Sequence, residues 1–140
     1  MPNSNALAAT LLRLTLAALF LAHAWLKIVV FTPAGTVGFF QSLGLPGPLA
    51  YLTIAAELLG AIALIVGFQT RWVSLALAPI LLGSIFFVHG QNGWLFSAPN
   101  GGWEFPAFWA AALIVQSLLG AGAYRYDLSN GKLAFQTSGA

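Results

Sequence analysis

Residues 49–68 read LAYLTIAAELLGAIALIVGF, with Glu57 as the single charge. A helix that crosses a membrane needs about 20 mostly apolar residues. It also has to satisfy every backbone polar group internally, because hydrocarbon offers no partner. This stretch meets the first condition and, as a helix, the second. Working outward, three more segments follow the same logic. Residues 6–31 are apolar apart from Arg13, His23 and Lys27. Residues 72–88 carry no charge and contain Pro79, which should kink the helix. Residues 105–124 have Gln116 as their most polar group.

Composition agrees. The 140 residues are 59% hydrophobic and 6% charged, with a mean hydropathy of +0.87. A soluble domain carries roughly 25% charged residues. Five cations and three anions cannot cover a soluble surface of this size, so a soluble globule, a disordered chain and a nucleic-acid binder are excluded. The fold class is all-α: an integral membrane four-helix bundle in one domain, residues 1–140, built as two helical hairpins with long outer loops and a polar tail at 128–140. No cysteine is present, which excludes disulfides, thiol relays and iron–sulfur ligation by this chain.

The connections are unequal. Residues 32–48 are rich in Gly and Pro, with Gly38-Phe39-Phe40 as a short interfacial segment. Gln69-Thr70-Arg71 makes a tight turn. Residues 89–104 carry the turn signals Asn92-Gly93, Pro99-Asn100 and Gly101-Gly102. Arg71, Arg125 and Lys132 fall on one side with Arg13 and the N-terminus. The positive-inside rule therefore puts both termini in the cytoplasm of a multi-pass protein. Trp25, Trp94, Trp103 and Trp109 are expected in the outer aromatic belt, and Trp72, Tyr124 and Tyr126 in the inner one. Leu14 to Leu21 followed by Ala22-His23-Ala24 has the outline of a signal peptide. The apolar run continues to Phe31, as a retained span would.

Ionisable groups inside hydrocarbon cost roughly 2.5–3.5 kcal/mol each at mid-helix and therefore face the bundle interior and find partners. On the first span, Lys27 lies about 40° from both Arg13 and His23 around the helix axis, and His23 and Lys27 are an i,i+4 pair. On the second, Thr53, Glu57, Gly60, Leu64 and Gly67 form one stripe. On the fourth, Ala112, Gln116 and Gly120 do. His23 and Glu57 each lie about 12 Å below the outer helix ends at 1.5 Å per residue. Lys27 is one turn higher, and His89 and Glu104 sit at the outer mouth. These five residues are expected to share the outer half of the bundle, with Arg13 and Gln116 in the inner half and Arg71 and Asp127 at the inner surface.

Each has a plainer reading. Lys27–Glu57 can be a structural pair that fixes helix register. His89 and Glu104 can be ordinary loop residues. His23 can be a hydrogen-bonded interior side chain. Arg13 can snorkel, or join Arg71 and Asp127 in structural ion pairs. Haem needs two histidines at one depth, which His23 and His89 are not, and no metal-ligand spacing is present, so neither haem nor a metal site is expected. A quinone headgroup suits the set better. Its carbonyls accept hydrogen bonds from His23 and Lys27, Glu57 can carry protons, and Phe86, Trp94, His89 and Glu104 can line the ring.

The order and spacing of these residues resemble the DoxX family of small bacterial membrane proteins. The matching features are Arg13, His23-Ala24-Trp25-Leu26-Lys27, Glu57-Leu58-Leu59-Gly60, Gly67-Phe68-Gln69-Thr70-Arg71 and His89. They continue through Asn92-Gly93, Gly101-Gly102-Trp103-Glu104, Gly120-Ala121-Gly122 and Tyr126-Asp127-Leu128. Ala24 departs from the glycine that often follows the histidine. The resemblance implies a four-helix bundle in the bacterial inner membrane. One branch of the family is similar to a subunit of thiosulfate:quinone oxidoreductase, and others are linked to membrane redox complexes or to natural-product and metal-handling operons.

The leading expectation is a quinone-linked redox subunit in the lipid membrane. His23, Lys27 and Glu57 would be its catalytic set, with electrons from a partner or a small reductant. The first alternative is a non-catalytic membrane subunit that docks a redox or biosynthetic partner protein, or a further copy of itself as a homo-oligomer. The second alternative is a small-solute or proton pathway along Arg13, Gln116, Glu57 and His23.

Overall fold

The computed structural model describes residues 1–127 and 132–135, with side chains through Tyr126. Five α-helices follow in order: α1 Ser4–Trp25, α2 Thr32–Ser42, α3 Pro48–Val66, α4 Thr70–Ser84 and α5 Glu104–Leu119. Two turns of π-helix extend α1 (Leu26–Val30) and α4 (Ile85–His89) at the same end of the bundle. Strands β1 Tyr124–Asp127 and β2 Lys132–Phe135 close the chain as an antiparallel pair, with Tyr124 opposite Phe135 and Asp127 opposite Lys132.

The spans Ser4–Val30, Pro48–Val66 and Thr70–His89 are long and apolar enough to cross a membrane. Helix α5 is shorter at 16 residues, about 24 Å at 1.5 Å per residue. The fourth helix was expected to run to residue 124. It stops at Leu119 because Gly120 (φ 82°, ψ −157°) takes a backbone conformation that only glycine adopts readily. Tyr124, expected to end that helix, and residues 125–127, which link it to the expected tail, form β1. Residues 132–135 of the expected tail form β2, and the remaining tail residues lie outside the described residues. The Gly/Pro-rich segment after α1, expected as a loop with an interfacial stretch, is largely helix α2. Thr32 (φ 63°) breaks the chain direction, and Pro33 sits in the first turn of α2, where its missing N–H costs nothing.

Local chemistry sets the helix ends. Asn3 caps α1 by accepting the Ala6 N–H at 2.8 Å. Gly67 (φ 75°) ends α3 in the left-handed conformation, and Phe68 N–H returns to Ala63 O at 2.9 Å. Arg71 reaches across to α5 and donates from Nη1 to the carbonyls of Ser117 (3.1 Å) and Leu118 (2.9 Å). It thus closes the carbonyl end of α5, where a cation suits the helix dipole.

The core runs along one stripe of each long helix. Leu16, Ala17 and Phe20 of α1 meet Ala61 and Leu64 of α3, Leu77 and Leu81 of α4, and Trp109 and Leu113 of α5. Small residues let the backbones approach, as membrane helices need in the absence of a hydrophobic driving force between them. A Cβ at Gly60 would lie 2.7 Å from a Leu77 methyl, so α3 and α4 are in contact there. The outward faces are apolar, with Leu11, Leu59, Leu82, Phe108 and Leu118 all exposed. Lipid rather than water has to cover them. The chain is therefore an integral membrane helical bundle.

Candidate functional site

In the half of the bundle that carries the two π turns, one ion pair joins α1 to α3. Glu57 is buried on α3, with its side chain 3% exposed. Lys27 projects from the π turn that extends α1, and its Nζ lies 2.9 Å from both Oε1 and Oε2 of Glu57. Among the described residues this is the only ion pair. The π turn has its own support. Thr36 of α2, itself buried, directs its hydroxyl to the carbonyls of Lys27 (3.2 Å) and Thr32 (2.9 Å). Helix α2 therefore braces the backbone that carries the lysine. π turns recur at functional sites because they re-aim the side chains that follow.

His23 lies one turn before Lys27, close enough to Glu57 to act on it electrostatically. Its Nδ1 is 2.9 Å from Leu19 O. A carbonyl oxygen can only accept, so Nδ1 carries the proton, and Nε2 of the neutral ring is left as an acceptor. The imidazole stands edge-on to Trp109 of α5, with ring centres 4.8 Å apart, and Trp109 also packs on Phe20 at 4.7 Å. Trp109 was expected in the outer aromatic belt. It is 3% exposed and lies inside the bundle, and its indole N–H is buried with no acceptor. The stripe Ala112, Gln116 and Gly120, extended back one turn, lands on Trp109, so its inward placement had a signal in helical spacing.

The structure gathers His23, Lys27 and Glu57, and gives the other expected site residues different contacts. His89, at the end of the α4 π turn, donates from Nδ1 to Gly101 O at 2.9 Å. Asn92 Nδ2 lies on the carbonyls of Val88, Asn100 and Gly101. Glu104 accepts the Phe96 N–H at 2.8 Å. Trp94 packs edge-on to Trp103 at 4.5 Å. These contacts knit residues 90–103 into one ordered loop. A Cβ at Gly102 would lie 2.1 Å from Leu95 O, so only glycine fits there. Phe86 rests on Phe87 and is 76% exposed.

The opposite half of the bundle holds a second polar group. Arg13 is buried, and its Nη2 donates to Tyr124 O, tying α1 to β1. Its Nη1 lies against Gly67, where any Cβ would overlap it. Arg13 Nε and Nη1, Thr70 Oγ1, Ser74 Oγ and Gln116 Oε1 are buried without partners. Gln116 Nε2 donates to Gly120 O at 2.7 Å and holds the end of α5. Arg71 was expected in an ion pair with its neighbours. Among the described residues it bonds the backbone carbonyls at the open C-terminus of α5. The Asp127 side chain lies outside the described residues. Among the described residues no three His, Asp or Glu side chains cluster as metal ligands would.

These features define a small polytopic membrane protein with a charged pair held inside its helices. The chain belongs to the DoxX family, whose profile matches residues 8–90. That match covers α1 to α4, and so includes Arg13, His23, Lys27, Glu57 and Arg71. Among curated proteins, the chain is 35% identical over 88 residues to "Putative oxidoreductase CatD" of Bacillus subtilis (strain 168), covering 63% of this chain and 64% of that protein. It is 29% identical over 123 residues to inner membrane protein YqjF of Escherichia coli (strain K12), covering 82% of this chain and 85% of that protein. The matched region thus spans a little under two thirds of CatD. No solved structure matches the chain significantly.

Proposed function

We propose that this protein is a quinone-linked redox subunit of the bacterial inner membrane, with its site at His23, Lys27 and Glu57. The observation that carries the reading is the Lys27–Glu57 pair within the bundle, where Glu57 is 3% exposed, together with a buried Trp109 N–H that lacks an acceptor on the ring that packs against His23. Buried charge and an orphaned donor are costly unless something uses them. A bound quinone would supply a two-electron, two-proton acceptor with two carbonyl oxygens. The residues present fit it. Lys27 Nζ and Trp109 Nε1 are donors for carbonyl oxygens. Glu57 is a carboxyl group shielded from bulk water, and His23 Nε2, an acceptor in the neutral ring, can take up a proton and pass it on. Lys27 keeps 17% exposure, so the ammonium can turn from Glu57 towards a ligand. Electrons come from a reduced partner or a small reductant such as thiosulfate, with both protons delivered through the protein. The name of the related CatD points to the same class of activity.

The test is quinone binding and reduction by purified protein. Glu57→Gln abolishes both if the reading is right, and unchanged binding and turnover would falsify the site. A second reading has its own support. The Lys27–Glu57 pair is bidentate and complete, as a register-fixing element of a non-catalytic subunit would be. Copurification of a partner protein, with no quinone in the preparation, selects that reading.

A further inference from the structure

The end of the bundle away from the Lys27–Glu57 pair carries a different site. The α3–α4 turn, the end of α5 and β1 enclose a cavity of about 320 Å³ lined by Thr70, Arg71, Arg125 and Gly120, among others. Helix α4 opens into it without a side-chain cap. Its first intrahelical bond is Val73 N–H to Gln69 O at 3.0 Å, so the amides of Thr70, Arg71 and Trp72 precede the ladder. Thr70 is 3% exposed, and its hydroxyl has no partner. The Arg125 side chain is exposed and makes no hydrogen bond or ion pair with the described side chains. Arg13 Nη1 lies against Gly67, which also lines the cavity. Arg71 and Arg125 thus line the cavity at an open helix N-terminus, and the Arg13 guanidinium lies behind Gly67. The two acidic side chains among the described residues, Glu57 and Glu104, are both engaged elsewhere.

Uncapped amides, a hydroxyl and arginines are the donor set for a phosphate. An apolar groove of about 520 Å³ runs along α3 and α4 from the same place. Gly60 and Leu77 line it, and Phe68 lines both the groove and the cavity. The exposed Trp72 and Tyr126 flank the polar end, as interfacial aromatics do. We propose that this site binds a phosphate-bearing anionic lipid. The headgroup phosphate sits between Arg71, Arg125 and Thr70, and an acyl chain lies in the α3–α4 groove. The continuity of a cationic cavity with an apolar groove favours a lipid over free phosphate.

The experiment uses the full chain in mild detergent, titrated with phosphatidylglycerol, phosphatidylcholine or inorganic phosphate and read by native mass spectrometry and calorimetry. Wild-type protein should retain phosphatidylglycerol over phosphatidylcholine. Arg125→Gln and Thr70→Val should each weaken phosphatidylglycerol roughly tenfold, the scale of one charge-assisted hydrogen bond. Thr70→Ser, which keeps the hydroxyl, should restore it. Ala76→Phe, which fills the groove, should weaken the lipid and leave inorganic phosphate unchanged. Equal retention of the two lipids, or an unaltered preference in both Arg125→Gln and Thr70→Val, overturns the proposal. Inorganic phosphate binding as tightly as phosphatidylglycerol, with Ala76→Phe silent, overturns the lipid as its source. Circular dichroism identifies any variant that fails to fold, and Thr70→Val with its serine rescue then decides.

Discussion

Lys27 and Glu57 should be strongly coupled, and unequally so. Replacing Lys27 by Met leaves a carboxylate that is 3% exposed and has no other hydrogen-bond partner. Breaking a buried pair from one side costs about 3 kcal/mol or more, because the remaining charge is stranded. Replacing Glu57 by Leu leaves an ammonium on a flexible side chain that is already 17% exposed, in the π turn at the end of its helix. That group can turn towards water, and the loss should be about 1–2 kcal/mol. The double variant Lys27→Met, Glu57→Leu removes both charges and keeps comparable volume, so it should cost no more than about 1 kcal/mol. The readout is unfolding in mixed micelles of rising SDS fraction, followed by circular dichroism. A coupling energy of about 3 kcal/mol closes the cycle. A double variant whose loss is the sum of the two singles would show that the charges do not depend on each other, and the site would lose its physical basis.

Three further outcomes follow from the same geometry. Trp109→Phe keeps ring packing on His23 and Phe20 but removes a buried donor without a partner. Stability in mixed micelles should change little, while quinone affinity falls about fivefold, the worth of one hydrogen bond. Glu104→Ala frees the Phe96 amide, so hydrogen exchange across residues 90–103 should rise with no change in quinone affinity. A fall in affinity there would bring Glu104 back to the ligand. Gly67→Ala meets a φ of 75° and overlap with Arg13 Nη1. It should cost about 1–2 kcal/mol for the backbone alone, with the clash added, and a thermal midpoint equal to wild type would show that the turn relaxes freely.

The long helices were legible in the sequence because lipid demands long apolar runs, and charges inside such runs stand out. Helical spacing also placed Lys27 beside His23 and put Glu57 at a depth that let the two spans meet. The π turns were not legible. Nothing in Leu26–Val30 or Ile85–His89 marks a wider turn, and depth counted at α-helical rise drifts across them. His89 and Glu104 looked like members of the outer cluster because they end and begin helices at one mouth. Depth says nothing about direction, and loop backbone groups took both side chains. Helix α2 was hidden by its glycines and Pro33. Strand β1 was hidden because four residues are too few for alternation to register. The capping role of Arg71 depends on the end of α5, which lies 46 residues further along the chain.

The most direct test of a quinone site at His23, Lys27 and Glu57 is mass spectrometry of the lipid-soluble molecules extracted from gently purified protein, wild type beside Lys27→Met. Near-stoichiometric quinone in wild type and its loss in Lys27→Met is the predicted result. Quinone absent from wild type, or equally abundant in both, would contradict it.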